Sequence, residues 1–478
     1  MTCGLPIQGV AQGRALHGKR NSDGHAARSM LAVPVAWCGL MALSGFLWTK
    51  IAFSTEGSGW LYLPGIAGCT TVVAGLQLLG GARFVLHRSA PWFLLFVAWL
   101  LMRLVADSRT ASDVLGYTIG YGEGVLLCYG MGLSTRLLLD ALAQLGTVRV
   151  RWLACLVLLA FNTWSALRVE AIGTEDGRLH RSLALMDNET YQVSGALSSV
   201  LAIVLAVTCA RSVNEPRGYV GVLMKWTLFG VAIGTMLVLA RASQLLGSNA
   251  GPAFVVPVVL LMFAVGWISL QVGGSKHSVG LRESPVSLTR VLARTLMALL
   301  TAAIVGTVAF IAAVAVEMID VTQYRVFGFE EASLFNASAQ SRLRILTSNF
   351  LPQLMHSPIL GNFFVDRDTT GDGSYTHSLI AILPHLGVVG AILFFVMMTG
   401  VARQLRLMWS RSEENDAERR FATLAIVAMA WVVVFMTLTS FFTNVMLWFS
   451  LGLLAPAIQL QARAGRNRTP HSVSELRL

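Results

Sequence analysis

The residue types best suited to chemistry lie in one stretch, residues 342–390. It carries Arg342 and Arg344, then a Pro-x-x-Gly turn and an acidic, glycine-rich loop that ends at His377. His377 opens an apolar run long enough to cross a bilayer. A neutral imidazole accepts a proton near pH 7, and guanidinium groups bind phosphate oxygens through paired donors. The stretch therefore predicts chemistry on a lipid-linked anionic substrate.

Two further arginines are candidates for the same substrate. Arg241 caps the end of a predicted membrane span, and Arg178 lies in a separate predicted outer loop. Arginines that converge from separate loops could hold a diphosphate leaving group without a metal ion. The alternative for each is an ordinary pair with a lipid headgroup or a carboxylate.

The proton acceptor is the least determined part of this site. His377 sits where the predicted loop meets the membrane, but Glu317, Asp320 or Glu331 could serve as the base instead. His385 lies about two turns deeper in the same predicted helix, where packing against another span is the default interpretation.

No metal or other cofactor is predicted. Asp366, Asp368 and Asp372 resemble part of a calcium loop, but their spacing is wrong and the terminal bidentate glutamate is missing. The six cysteines occur singly, so they predict core packing and no metal or disulfide framework.

The elements that must position these residues are membrane helices. Of 478 residues, 55% are hydrophobic and 13% are charged, whereas a soluble domain carries roughly 25% charged residues. Composition therefore excludes a soluble protein and predicts an all-α polytopic membrane protein. Apolar runs near the spanning length of about 20 residues predict about twelve transmembrane helices, near 31–53, 60–80, 90–106, 113–133, 152–168, 192–210, 219–240, 252–271, 295–316, 378–400, 421–438 and 445–461.

Charge orients these spans. Every second predicted loop is rich in Lys and Arg, so the positive-inside rule predicts that both termini are cytoplasmic. The net charge of +11 is thus explained by topology and membrane lipids, and no nucleic-acid partner is expected. The predicted segments are a basic cytoplasmic tail (1–30), transmembrane helices 1–9 (31–316), one long extracytoplasmic loop before the tenth span (317–377), transmembrane helices 10–12 (378–461) and a second cytoplasmic tail (462–478).

Two local features refine this layout. Between Glu331 and Leu354 apolar residues recur at helical spacing, which predicts an amphipathic helix lying on the membrane surface through Leu343, Leu346, Phe350 and Leu354. Pro358 and Gly361 should end that helix, and residues 366–374 should form a loop. Within the fourth predicted span, Glu123 could pair with Arg103 or line a substrate cavity.

Three pieces of the chain resemble the O-antigen ligase and O-antigen polymerase family of bacterial envelope enzymes. They are the arginine-bearing segment 177–188, Arg241 after the seventh span, and the long loop with its two arginines, its Pro-x-x-Gly turn and His377. The chain departs from the family pattern at Ser378, where members carry asparagine, and at Ala240, where they carry a hydroxyl residue.

The resemblance implies a metal-independent glycosyltransferase in the bacterial inner membrane. Such enzymes move a glycan from undecaprenyl diphosphate to a sugar hydroxyl on the periplasmic face, in lipopolysaccharide or exopolysaccharide biosynthesis. Carried over, Arg178 and Arg241 would bind the diphosphate, Arg342 or Arg344 would support substrate binding, and His377 would activate or position the acceptor. The acceptor, another lipid-linked glycan for a polymerase or lipid A core for a ligase, stays open. The alternative function is a multi-pass transporter or flippase for a lipid-linked or small substrate.

Overall fold

The structure is a computed structural model that describes most of the predicted spans. It describes residues 31–51, 62–112, 114–115, 123–171, 190–212, 219–245, 337–369, 378–411, 416–437 and 445–461, with isolated positions at 251, 254, 255 and 258. Both predicted tails and the predicted span 295–316 lie outside the described residues, as does the predicted span 252–271 apart from its isolated positions. The start of the long loop, which carries the alternative bases Glu317, Asp320 and Glu331, also lies outside them. So do Arg178 and His377.

The described chain is mostly helical. Its helices are Leu31–Ile51 (α1), Tyr62–Leu79 (α2), Ala90–Asp107 (α3), Cys128–Leu145 (α4), Val148–Ala171 (α5), Thr190–Ser212 (α6), Tyr219–Leu245 (α7), Ala337–His356 (α8), Val365–Thr369 (α9), Ile382–Arg411 (α10), Asp416–Met436 (α11) and Val445–Leu454 (α12). One π-helical turn, Glu123–Leu127, precedes α4, and one 3-10 turn, Leu379–Ala381, precedes α10.

The prediction of a helical polytopic membrane protein is confirmed. Among the described residues, seven helical stretches are long and apolar enough to span a membrane: Leu31–Ile51, Tyr62–Leu79, Ala90–Asp107, Gly124–Leu145, Val148–Val169, Trp226–Ser243 and Leu379–Ser410. Shorter apolar helices lie at Gly195–Cys209, Phe421–Met436 and Val445–Leu454. The total of twelve spans stays a prediction.

The fourth span differs from its prediction. It was expected over 113–133 with Arg136 in the following loop, but the apolar helix runs over Gly124–Leu145 and contains Arg136. The arginine is tolerated there because its Nε donates to Asp140 Oδ2 at 2.9 Å and its Nη1 to the Leu453 carbonyl at 3.4 Å. A paired charge inside a span costs far less than an isolated one.

The last predicted span differs in another way, because its helix ends earlier than expected. Helix α12 ends at Leu454, and the chain then forms a strand, Ile458–Gln461 (β2), where 445–461 was expected to be helical. This strand pairs antiparallel with Arg83–Leu86 (β1), the connection between α2 and α3, with Arg83 opposite Gln461. Pro456 and the paired edge of β1 account for the change, since proline interrupts a helix and β1 supplies backbone partners.

Helix α3 has one face buried in the helix bundle and an opposite face that is exposed. Phe93, Phe96, Leu100 and Leu104 are buried at helical spacing, while Leu94, Leu95, Met102 and Val105 are exposed on the opposite face. In a membrane that second face meets lipid, so its exposure carries no penalty. The buried face packs on α10 and α12: the Phe96 ring lies 5.7 Å from Phe394 and 5.8 Å from Trp448 between ring centroids.

Helices α3 and α10 run antiparallel. Ser89, just before α3, donates to Gln404 near the end of α10 at 3.4 Å. At the other end, the Trp99 indole donates to the Leu386 carbonyl near the start of α10 at 3.0 Å. The carboxyl end of α3 therefore meets the amino end of α10, and the long loop reaches the bundle at that junction.

Candidate functional site

Helix α10 is broken close to its amino end. Gly387 has φ 68° and ψ −176°, a conformation that is essentially confined to glycine, so the helix is two pieces with a kink between them. The break lies eight residues after Leu379 and fifteen before Ala402, the last residue before the first charge of α10. It thus lies about one third of the way along the apolar stretch.

A segment of the long loop supplies hydrogen bonds to the backbone at this break. We call residues 357–364 the docked segment. Its Asn362 N–H donates to the Pro384 carbonyl at 3.0 Å. In return, the N–H groups of Val388 and Val389 donate to the carbonyls of Pro358 and Ile359, at 3.0 and 3.3 Å. Irregular backbone within a membrane helix is stable only where protein satisfies it, and here the docked segment does so.

Two glycines let the backbones approach this closely. Gly361 has φ 77°, and a Cβ placed on it would lie 2.5 Å from the carbonyl carbon of Leu386 and 2.6 Å from the carbonyl oxygen of His385. A Cβ on Gly387 would lie 2.5 Å from the carbonyl carbon of Ile359. Real Cβ atoms do not approach other atoms this closely, so both positions require glycine. The predicted Pro-x-x-Gly turn is confirmed and proves to be a docking element.

Arg103 and Asp107, at the carboxyl end of α3, clamp the docked segment from the other side. Their side chains form an ion pair, each with a side chain only 13% exposed. Arg103 Nη2 also donates to the Gly361 carbonyl at 2.7 Å, and Asp107 Oδ2 accepts from the Phe363 N–H at 2.7 Å. The partner that the structure shows for Arg103 is thus Asp107, one turn away. The alternatives for Glu123, a pair with Arg103 or a place in a substrate cavity, stay predictions, because its side chain lies outside the described residues.

His385 completes the clamp from α10. Its buried ring donates from Nδ1 to the Phe363 carbonyl at 2.8 Å, which fixes the proton on Nδ1 in the neutral form. The peptide groups around Phe363 are thus bonded to α3 on one side and to α10 on the other. The default prediction of simple packing for this histidine understated its role.

A second, more exposed polar group lies where the docked segment leads into α9. Asp368 accepts from Arg109 at 2.6 Å through one oxygen and from the Asn362 amide at 2.8 Å through the other. The Arg367 guanidinium lies 4.4 Å from the Phe364 ring centroid, a cation–π contact, and 3.7 Å from Asp368. Residues 366–369 were expected to be loop, but they are helical because these contacts order them.

The formal charges around the docked segment cancel. The described arginines Arg103, Arg109 and Arg367 are matched in number by the aspartates Asp107, Asp368 and Asp366, of which the first two are in ion pairs with them. The amide groups at the start of the longer piece of α10 are also occupied by protein carbonyls. The described cluster is therefore built to hold a segment in place, and an anionic substrate needs further arginines.

No protein-family model, curated protein or solved structure matches the chain. The site must therefore be interpreted from its own geometry. Within the described part of the chain, no group of three His, Cys, Asp or Glu side chains is placed to hold a metal ion.

Of the predicted substrate-binding residues, Arg241 is the one whose side chain the structure describes. It lies half-buried near the carboxyl end of α7, two residues before Ser243, whose hydroxyl accepts a hydrogen bond from Ser198 of α6 at 3.1 Å. Arg342 and Arg344 lie on the first half of α8, whose backbone is described but whose side chains there are not. Arg178 and His377 fall outside the described residues, and His377 directly precedes Ser378, where the description resumes.

The amphipathic helix of the long loop is confirmed as a helix, but its exposed face differs from the predicted one. Leu346, Phe350 and Leu354 are half-buried and Gln353 is fully buried, so this face of α8 turns towards the protein. Its contacts are with α9 and α10. The sequence pattern identified the packing face correctly as apolar but assigned it to the membrane instead of to the neighbouring helix.

Sequence reasoning missed Asp107, Asn362 and His385 as members of the site. The spacing of Arg103 and Asp107, four residues apart at the end of a predicted span, was the signal that could have found the clamp. Nothing in the sequence indicated that His385 and Phe363, 22 residues apart, would be hydrogen-bonded.

Proposed function

We propose that the protein is a membrane glycosyltransferase of the polysaccharide ligase or polymerase type. It moves a glycan from undecaprenyl diphosphate to a sugar hydroxyl at the outer face of a bacterial inner membrane. The observation that carries the proposal is the docked segment. It fixes the helix that bears Arg342 and Arg344 against the ends of α3 and α10, and the chain then leads to His377.

The reaction needs few groups. The acceptor hydroxyl oxygen attacks the anomeric carbon, the bond from that carbon to the diphosphate oxygen breaks, and undecaprenyl diphosphate leaves with its charge. Arginines stabilise that charge, and a base receives the hydroxyl proton. We assign the diphosphate to Arg178 and Arg241 with support from Arg342 and Arg344, and the proton to His377. A loop carboxylate, Glu317, Asp320 or Glu331, is the alternative base.

Charge at the opposite end supports the orientation. Exposed Arg83 begins β1 and exposed Arg88 follows it, and exposed Arg403 and Arg406 lie near the end of α10, to which Ser89 is hydrogen-bonded through Gln404. Under the positive-inside rule this end is cytoplasmic, which places the docked segment outside. Both termini then lie in the cytoplasm, and the lipid-linked donor is met on the outer side.

The transporter alternative has one observation in its favour, the break in α10. Broken helices in transporters leave backbone groups free to bind substrate near the middle of the membrane. Here the N–H groups of Val388 and Val389 and the carbonyls of Pro384 and Leu386 are bonded to protein. This arrangement favours a fixed platform over a translocation site.

The deciding experiment is transfer by the purified protein in nanodiscs, with an undecaprenyl diphosphate-linked oligosaccharide and with or without lipid A core. We expect a ladder of longer lipid-linked glycans for a polymerase and a single transfer to the core for a ligase. His377→Ala should lower the rate by about 10²- to 10⁴-fold, the usual contribution of a general base. Arg241→Ala should lower it by about 10²-fold or more, as for other groups that stabilise developing charge.

Matched controls separate these effects from damage to the protein. His356→Ala removes an exposed histidine of the same loop, and Arg403→Ala an exposed arginine at the other end of α10. Both should retain the parent rate. If no native-like donor yields product, and vesicles containing the protein instead move a lipid-linked substrate between leaflets, the transporter function replaces this proposal.

A further inference from the structure

The last turns of α8 and the start of the docked segment expose large apolar side chains. Leu351 is 61% exposed, Met355 68% and Ile359 66%, and Leu360 is also exposed. Leu351 and Met355 lie one turn apart on the same side of α8, and Ile359 and Leu360 follow in the turn after its end. Apolar groups of this size, placed together, mark a surface that is covered in the working protein.

This surface continues the lipid-facing side of a membrane span. The carbonyls of Pro358 and Ile359 accept the N–H groups of Val388 and Val389 at 3.0 and 3.3 Å, so Ile359 lies next to this start of the longer piece of α10. From Val388 an exposed apolar stripe runs along α10 through Ile392 and Phe395. These positions follow helical spacing on a span that must meet lipid. The exposed side of α8 and the lipid-facing side of α10 are therefore one continuous surface.

Polarity changes along the exposed side of α8. Thr347 and Ser348 are exposed one turn before Leu351, and the first eight residues of α8 read ASAQSRLR. Beyond Leu351 the exposed positions are apolar, bordered by Pro352 and His356, whose ring presents an apolar body and a polar tip. A helix with one polar and one apolar half fits a position that crosses the membrane surface obliquely.

We infer that the second half of α8 and the start of the docked segment, from Leu351 to Leu360, are immersed in the outer leaflet of the bilayer. The partner of this surface is lipid hydrocarbon. Helix α8 then enters the membrane at about Thr347, and Arg344 lies about 10 Å along the helix from Leu351. That distance places the backbone at Arg342 and Arg344 at the level of lipid headgroups. The inference concerns membrane contact and stands independently of the reaction.

The test measures depth in the membrane directly. Met355→Cys and Ile359→Cys are labelled with an NBD fluorophore in phosphatidylcholine vesicles, with the parent protein labelled in parallel to subtract native cysteines. Lipids that carry a doxyl quencher on the acyl chain should cause a loss of NBD fluorescence at both positions, and aqueous iodide should not. Thr347→Cys is the matched control, because it is exposed on the same side of α8 about 12 Å earlier. It should lose fluorescence with iodide.

The outcomes divide cleanly. Iodide quenching at Met355 and Ile359 would place this surface in water and overturn the inference. Quenching by neither reagent would mean that a protein, such as a second copy of the chain, covers the surface, and would overturn it equally. An unchanged elution volume of each labelled variant checks that it is folded. Because no turnover is measured, the result does not depend on whether the protein proves to be a glycosyltransferase.

Discussion

Replacing Gly387 with alanine should detach the docked segment from α10 and lower the free energy of unfolding strongly for a substitution that adds a single methyl group. The new Cβ would lie 2.5 Å from the carbonyl carbon of Ile359. Alanine would also have to adopt φ 68° and ψ −176°. Such a conformation costs about 1–3 kcal/mol for a residue other than glycine. Overpacking adds about 1–3 kcal/mol.

The measurement is the thermal unfolding temperature of the purified variant in the detergent or nanodisc used for the parent. Limited proteolysis within residues 357–369 gives a local readout, since a segment that has left α10 exposes its backbone to protease. We expect a lower unfolding temperature and new cleavage in that range.

Gly234→Ala is the control for this prediction. Gly234 lies inside α7, and a Cβ there meets nothing within 4 Å. Alanine favours helix over glycine by about 1 kcal/mol, so this variant should be as stable as the parent or slightly more stable. If Gly387→Ala behaved like Gly234→Ala, the docked segment would not be in contact with α10 in solution.

The break in α10 at Gly387 is a feature that hydropathy could not predict from the sequence. Hydropathy located the spans because a bilayer imposes a single length on every apolar helix. The same signal shows a continuous apolar run through Gly387, because a break satisfied by another segment leaves composition unchanged. The misplacement of the fourth span has the same origin. Hydropathy counts Arg136 as a charge and is blind to the bond with Asp140 that neutralises it.

In the candidate site, too, some residues could be predicted from the sequence and others are found only in the structure. The arginines, His377 and the turn at Gly361 are visible in sequence because their types and order are unusual at a membrane face. The residues that hold the segment, Asp107 and His385, are visible only in the structure, since each makes a bond to Phe363 from a different helix. Residue type predicts chemistry, whereas positioning depends on which backbone groups the fold brings together.

The second large effect concerns the Arg103–Asp107 clamp. Asp107→Ala removes the partner of a mostly buried guanidinium and the acceptor of the Phe363 N–H. Breaking a buried pair from one side costs about 3 kcal/mol or more, because a charge stays behind without compensation. We expect a marked fall in unfolding temperature and cleavage in the docked segment, as for Gly387→Ala.

Changing Arg103 and Asp107 together gives a more specific test of the clamp than either single substitution. Arg103→Met combined with Asp107→Ala leaves no unpaired charge, so the double variant should be more stable than the sum of the two single losses predicts. Coupling of about 1–3 kcal/mol is the range for residues in direct contact. Arg109→Ala is the control: its side chain is 64% exposed, and its pair with Asp368 should contribute about 1 kcal/mol or less.

Additive losses in the double variant would show that Arg103 and Asp107 act separately, and the clamp would then not be what holds the segment. A coupled loss means that the pair acts as one unit on the Gly361 carbonyl and the Phe363 N–H. In that case the position of the docked segment, and of α8 that precedes it, depends on one ion pair at the end of α3. If the proposed function holds, the clamp variants should then lose transfer activity although every residue assigned to the substrate is unchanged, and restoring the charge balance should recover part of it.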